Sequence, residues 1–211
     1  MSADAIRADV TGATRAERPA PPEPTTTARP APPRAAAARP PLDWPASLTT
    51  RRLTLRPVEE PDVPHIARLW TDPRVRRHLG GPVTEAVADA RRSQCVGAPG
   101  AFAVARDGDG EVLGLVVAEH DGHEGHTEVS YQFLPEHWGQ GYAREAVAAV
   151  VAWARGAVRS PAPGVVAVTQ RANTRSRHLL GTLGATTTDD FVAYGEPQLL
   201  YAFPSETPRE E

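Results

Sequence analysis

The sequence predicts an α/β domain built on a mixed sheet, and three observations carry that prediction. Three strand-like segments follow one another through Asp/Gly-rich turns, which reads as antiparallel hairpins. A long amphipathic helix then connects the last of them to a short β-branched run, the pattern of a parallel strand–helix–strand crossover. The resulting order, β-α-α-α-β-β-β-α-β-α-β-β, mixes hairpins and crossovers within one sheet.

Each element has its own local signal. Arg52-Leu53-Thr54-Leu55-Arg56 alternates polar and apolar residues, and Pro57 closes the strand. Asp62 to Thr71 reads as a helix, with Val63, Ile66, Leu69 and Trp70 on one face and Asp62 as N-cap. A second helical piece is expected over Pro73 to Leu79, ended by Gly80-Gly81-Pro82, and a third from Thr84 to about Cys95. Phe102 to Arg106 turns through Asp107-Gly108-Asp109-Gly110 into Val112 to Glu119, and Asp121 to Gly125 turns again into Thr127 to Leu134. Gly139 to Val158 is the long helix, with Val147, Val150, Val151, Ala154 and Val158 on one stripe. Val165 to Gln170 reads as a buried strand and Asn173 to Leu183 as a helix. Phe191 to Tyr194 and Leu199 to Phe203 read as the closing strands.

Composition sets the limits. The 211 residues are 40% hydrophobic and 23% charged, enough for one packed domain. Residues 1–46 hold 10 of the 22 prolines and 13 alanines, so half of that stretch is Pro or Ala and it reads as a disordered leader. The domain is then 47–204, and 205–211 is an acidic tail. The net charge of −3 divides as +1, −2 and −2 at Ala46 and Phe203, with no basic excess to draw nucleic acid or a membrane surface. All 23 basic residues are Arg, which removes Schiff-base chemistry and a P-loop lysine. Cys95 is the single cysteine, so neither an internal disulfide nor a cysteine zinc site is available, and it reads as a small buried residue. The N-terminus has no apolar signal segment, and the longest apolar run, Ala146 to Ala154, is too short for a membrane span. A cytoplasmic protein is expected.

The most informative stretch is Leu134-Pro135-Glu136-His137-Trp138-Gly139-Gln140-Gly141-Tyr142-Ala143-Arg144. A strand ends, small residues let the backbone turn tightly, and a helix begins at once. Free N–H groups and positive partial charge at a helix start suit a phosphate or pyrophosphate. A Rossmann fingerprint needs a third glycine that is absent here, and a P-loop needs the missing lysine.

The turn, read as Trp138-x-x-Gly141-x-Ala143, resembles the acetyl-CoA pyrophosphate motif of the GNAT N-acetyltransferases, Arg/Gln-x-x-Gly-x-Gly/Ala. Its neighbours are similar to the RimJ/RimL-like branch, which modifies protein N-termini among other amines. Thr50 to Pro57 resembles the opening strand, and Glu128-Val129-Ser130-Tyr131 the central strand. Asn173-Thr174-Arg175-Ser176-Arg177 with Leu183-Gly184-Ala185 resembles the Asn-x-x-Ser…Leu-Gly-Phe helix. The likeness runs from Thr49 to Phe203. Trp138 departs from the usual Arg or Gln, a change expected to matter little where backbone amides do the binding. The resemblance implies a mostly antiparallel sheet splayed at its central strands, an acetyl-CoA co-substrate, no metal, and an amine acceptor; homodimers occur among such proteins.

Carried over by resemblance, the N–H groups of Gly139, Gln140, Gly141, Tyr142, Ala143 and Arg144 would hold the pyrophosphate, with Trp138 opening the motif. The backbone of Phe133 and Leu134 would pair with the pantetheine arm as an added strand does. Asn173 would hydrogen-bond that arm, and Ser176 would lie near its sulfur as the candidate acid. Glu128 stands where some members carry a base. Each has a plainer alternative: Glu128 as a solvated or structural carboxylate, Ser176 as a helix-surface or capping residue. Tyr131 and Tyr194 are reserve acids. An N-terminal α-amine, with a pKa near 8, asks for little base strength. The acceptor expected first is a protein or peptide N-terminus. A small-molecule amine is the alternative, as is a module that binds acyl-CoA without turnover. His120, His123 and His126 read as a polar loop rather than a metal site, and Trp70, Trp138 and Trp153 as core or pocket packing.

Overall fold

An eight-stranded sheet with helices on both faces makes up the protein in a computed structural model that describes residues 41–204. The Pro/Ala-rich stretch up to residue 40 and the tail from residue 205 lie outside the described residues. The strands are β1 (Leu48–Thr49), β2 (Leu53–Pro57), β3 (Ala101–Arg106), β4 (Val112–Glu119), β5 (Thr127–Phe133), β6 (Val165–Gln170), β7 (Thr186–Ala193) and β8 (Glu196–Ala202). The helices are α1 (Val63–Thr71), α2 (Glu85–Cys95), α3 (Tyr142–Ala157) and α4 (Thr174–Thr182). Spatial order in the sheet is β1-β2-β3-β4-β5-β6-β8-β7. Among the described strands only β5 and β6 pair in parallel, because α3 carries the chain back across the sheet between them.

One core cluster joins Leu53, Leu55, Phe102, Val104, Val116, Val129 and Phe133 of the sheet to Ala146, Val147, Val150 and Val151 of α3. On the opposite face, Ile66, Leu69 and Trp70 of α1 and Cys95 of α2 pack on Ala103, Leu115, Val117 and Leu134. Strand β4 is buried over its whole length because both of its faces are covered. Gly114 in this strand has no room for a side chain: a Cβ there would meet the Gln132 carbonyl oxygen at 2.3 Å and the Phe133 ring at 2.8 Å.

Several expectations are corrected. Asp62 does not cap α1 through its side chain; it ends a 3-10 turn over Glu60–Asp62 and is buried. Its carboxylate accepts the Glu59 N–H at 2.8 Å and both Arg56 Nη groups at 2.6 and 2.9 Å. Burial alone would raise its pKa, and these hydrogen bonds outweigh it, holding the group below the usual range. The helix expected over Pro73 to Leu79 is only a 3-10 turn at Arg76–His78. Helix α3 begins at Tyr142 rather than Gly139, because Gly139 and Gly141 take left-handed φ values of 75° and 81°. Strand β7 starts at Thr186, five residues before the expected Phe191.

The boundary between leader and domain also moves. Leu42 bridges to Val158, and Asp43 pairs with Arg159 at 2.6 Å. The Trp44 ring meets Phe102 edge-on at 4.9 Å and Trp153 at 6.3 Å. Residues 41–46, assigned above to the leader, are therefore packed on the domain. Cys95 is fully buried, and burial pushes its thiol pKa up. Among the described residues, no helix is long and apolar enough to cross a membrane.

Candidate functional site

The sheet comes apart at its centre. Strands β5 and β6 pair only at Thr127↔Val165 and Glu128↔Val166, although β5 stays paired with β4 up to Phe133 and β6 with β8 up to Gln170. Past Glu128 the two strands have no common ladder, which leaves a wedge open toward the end of β5. A parallel edge of this kind offers unpaired backbone groups to an extended ligand.

At the wide end of the wedge lies the glycine turn. Residues Pro135–His137 form a 3-10 turn, Gly139 and Gly141 are left-handed, and α3 begins at Tyr142. A Cβ at Gly139 would meet nothing within 4 Å, and one at Gly141 only Arg52 Nη2 at 3.4 Å. Glycine is thus demanded by the backbone conformation, and the space beyond the turn is free for an anion. The amides of the first turn of α3 have no earlier helical carbonyl to meet. Trp138, Gln140, Ala143 and Arg144 flank the glycines as the sequence places them.

Contacts far apart in sequence hold the turn in place. The Arg52 N–H and Nε donate to the two oxygens of Glu145 at 2.8 and 2.7 Å, Arg52 Nη1 donates to the Gln140 carbonyl at 3.1 Å, and the guanidinium lies 4.5 Å from the centre of the Tyr142 ring. Burial opposes ionisation of Glu145, but the hydrogen bonds from Thr50 and Arg52 prevail and its pKa is lowered. The indole N–H of Trp138 donates to the Phe133 carbonyl at 2.7 Å. The Leu134 N–H is already spent on the Leu113 carbonyl at 2.9 Å. Both backbone positions expected to pair with an arm therefore have partners, and the Phe133 carbonyl keeps one lone pair.

Ser176 and Tyr131 meet across the wedge. Their hydroxyl oxygens lie 2.7 Å apart, joining α4 to β5. Burial raises the Tyr131 pKa to about 12, with the Ser176 hydrogen bond pulling the other way. The phenol keeps its proton at neutral pH. Asn173 caps α4, its Oδ1 accepting the Ser176 N–H at 3.2 Å, which leaves the amide Nδ2 of Asn173 as its remaining side-chain donor.

Glu128 is buried, and its Oε2 accepts the backbone N–H of His123 at 3.1 Å. The register sets Glu128 opposite Glu119 and Gln132 opposite Leu115, on the α1–α2 face, whereas Tyr131 sits opposite Val116 on the α3 face. Glu128 and Ser176 therefore approach the wedge from opposite faces. On the α1–α2 face, the carboxamide of Gln132 and the indole N–H of Trp70 are buried with no hydrogen-bond partner among the described residues. The loop after α1 reaches over this face, and His78 Nδ1 lies 3.2 Å from Gln170 Oε1 on β6. Buried Arg76 braces the loop, donating through Nε to the Gly81 carbonyl at 2.8 Å and through Nη2 to that of Leu79; burial lowers its pKa to about 10.

Tyr194 is half-exposed in the β7–β8 turn with a left-handed φ of 56°. His123 stacks on Phe191 at 5.0 Å, and His126 Nδ1 lies 2.6 Å from the Pro163 carbonyl. No group of three His, Cys, Asp or Glu side chains suited to a metal ion occurs among the described residues.

Gln132, Arg52 and the cross-wedge contacts are absent from the sequence expectations. Gln132 alternates with Ser130 and Glu128, a signal that could have exposed it; the contacts between distant segments had none.

Comparison with known proteins agrees with this architecture. The family described as the acetyltransferase (GNAT) domain matches residues 52–186. An uncharacterized N-acetyltransferase p20 of Bacillus licheniformis is 30% identical over 109 residues, which are 48% of this chain and 61% of that protein. The chain thus spans less than two thirds of that relative's length. An acetyltransferase of the GNAT family from Bacillus anthracis superposes with a TM-score of 0.65 at 22% identity, covering 75% of this chain and 98% of that one. Mycobacterium smegmatis RimJ, solved in complex with CoA-disulfide, superposes with a TM-score of 0.57 at 19% identity, covering 79% of this chain and 91% of that one. Both likenesses concern the fold. With the match over 52–186 and the splayed sheet ending at a glycine turn, the chain belongs to the GNAT acetyltransferase family.

Proposed function

We propose that this protein moves the acetyl group of acetyl-CoA onto a primary amine, by direct transfer while both substrates are bound, and that the amine is the N-terminus of a protein or peptide. The observation carrying the reading is the wedge between β5 and β6, open along one side and ended by the left-handed glycines before α3. The fit is chemical as well as geometric. Open space above Gly139 and free helix-start amides suit a diphosphate, and the unladdered edge of β5 suits an extended arm bearing amides. Acetyl-CoA, once bound, supplies an activated thioester acyl group.

The remaining work falls to this chain's own residues. The amides from Gly139 to Arg144 bind and orient the anionic end. Tyr131 and Ser176 hold a proton between Oη and Oγ, where a departing thiolate could take it. Glu128 offers a carboxylate on the other face to accept a proton from the amine, directly or through water. The orphaned groups of Gln132 and Trp70 support a reading of that face as the acceptor's, because a bound polar molecule would satisfy them. The preference for an N-terminal amine rests on the RimJ/RimL-like resemblance and on the low basicity such an amine needs.

The test is calorimetric titration with acetyl-CoA beside a Gly141→Glu variant, followed by an acceptor screen across peptide N-termini and small amines. Micromolar binding to the parent and at least about a hundredfold loss in the variant are expected, since a carboxylate replaces the anion's own place. Glu128→Gln and Ser176→Ala should each slow acetylation about tenfold or more with the acetyl-CoA Kd nearly unchanged. Absence of binding to the parent would sink the enzyme reading; parent-like rates in both variants would overturn the assigned roles.

A further inference from the structure

The position that opens the pyrophosphate motif carries Trp138, an uncharged residue, yet a guanidinium stands over it. The Arg175 Cζ lies 4.5 Å from the centre of the Trp138 ring. Arg175 belongs to the first turn of α4, on the far wing of the sheet, so this contact spans the mouth of the wedge. The ring cannot swing away freely, because its N–H is tied to the Phe133 carbonyl at 2.7 Å.

Besides Arg144 in the turn itself, two arginines reach it from other elements, and they differ in what they hold. Arg52 is engaged by Glu145 and the Gln140 carbonyl. Arg175 has no carboxylate partner among the described residues, and its guanidinium rests on the indole face. An arginine seated on an aromatic ring keeps its charge, and the N–H donors around its edge stay available. Those donors match phosphate oxygens, which guanidinium groups bind in a bidentate manner. The ring also lowers the side-chain entropy lost when such a long residue binds a ligand.

We propose that Arg175, held on Trp138, is a phosphate-binding residue of this protein and supplies from α4 the positive charge that residue 138 lacks. Its ligand is a phosphate group of the coenzyme, either in the diphosphate or on the ribose. The proposal rests on the acetyl-CoA reading above. It also gives Trp138 a role that backbone amides alone do not: a platform that positions a charge contributed by the other wing.

Full-length parent and Arg175→Ala protein are titrated with acetyl-CoA, with 3′-dephospho-acetyl-CoA and with S-acetylpantetheine, which has no phosphate. Arg175 is exposed, so the variant should fold, and circular dichroism checks this. Arg175→Ala is expected to weaken acetyl-CoA about tenfold and to leave S-acetylpantetheine unchanged. A loss that persists with the dephospho compound assigns the diphosphate; a loss that vanishes assigns the ribose phosphate. The salt dependence of the acetyl-CoA Kd should also become shallower in the variant, because one screened ion pair is gone. Trp138→Ala should weaken acetyl-CoA similarly, and the double variant should lose less than the sum of the two.

An unchanged acetyl-CoA Kd and salt slope in Arg175→Ala would overturn the proposal. So would an equal loss with S-acetylpantetheine, which would reveal only a role in placing α4. If the parent fails to bind acetyl-CoA at all, the cofactor reading falls first and takes this inference with it.

Discussion

The two wings of the sheet are built differently. Strands β2 to β5 are sandwiched between α3 on one face and α1 with α2 on the other, and every residue of β4 is buried. The outer wing ends in β7, where Thr186 to Asp190 are all exposed and Val192 is 73% exposed. On the α3 face one hydrophobic cluster runs under both wings, taking in Val165, Ala167, Leu199 and Tyr201. Between the strands themselves the wings share one two-residue ladder, supplemented by the Tyr131–Ser176 hydrogen bond, the His78–Gln170 contact and the Arg175–Trp138 stack. A tightly packed wing provides a fixed edge, and a lightly covered one can present residues across a gap without burying the gap itself. The site lies where the packing is interrupted, which is where backbone groups and polar side chains are left for a ligand.

The sharpest way to break this contrast is a substitution in the sandwiched wing. Gly114→Val would drive a side chain into the Gln132 carbonyl and the Phe133 ring, neither of which can retreat without disturbing β5. A loss of about 3 kcal/mol or more is expected in urea denaturation. A variant as stable as the parent would mean that the wing is looser than its burial implies.

A smaller effect tests the link between the wings. An unfolded tyrosine loses its proton near pH 10, whereas folded Tyr131 keeps its proton to about pH 12. Between those values the unfolded chain binds fewer protons than the native one, so stability falls as pH rises. At neutral pH Tyr131→Phe should cost about 1 kcal/mol for the lost hydrogen bond to Ser176. Above pH 10 that deficit should shrink and reverse by about 2 kcal/mol in total, because phenylalanine has no proton to lose. Denaturation of both proteins from pH 7 to 11.5 reads this directly, and parallel curves would contradict the burial of the phenol. The smallest effect belongs to the outer wing: Val192→Ser should change stability by less than about 0.5 kcal/mol. A larger loss would show that this hairpin face is covered in solution.

The legibility of each part follows from how local its causes are. Strands β3, β4 and β6 and helix α2 stand within a residue of their expected places, because turn chemistry and apolar periodicity act over a few residues. Strand β7 was hidden, since Thr186-Thr187-Thr188-Asp189-Asp190 has no alternation; its ladder to β8 organises it. The start of α3 moved because only the left-handed glycines show where helical φ values begin. Trp44 was concealed in Pro/Ala-rich sequence, and its place on Phe102 and Trp153 depends on residues far along the chain. In the site, the glycine turn was readable because its conformation selects its residues. The Tyr131–Ser176 pair was not, although each residue carries its own signal, because the two stand 45 positions apart in the chain.

By itself, the sequence determined the mixed α/β class, the glycine turn at the head of α3 and the motifs that resemble a GNAT acetyltransferase. These depend on backbone conformation and side-chain period, which neighbouring residues impose on one another. Only the tertiary structure decided how far β5 and β6 stay paired, which faces Glu128 and Ser176 occupy, and that Arg175 comes to rest on Trp138. Those outcomes depend on how α3 and α4 pack against two unequal wings, and no stretch of chain carries that balance alone.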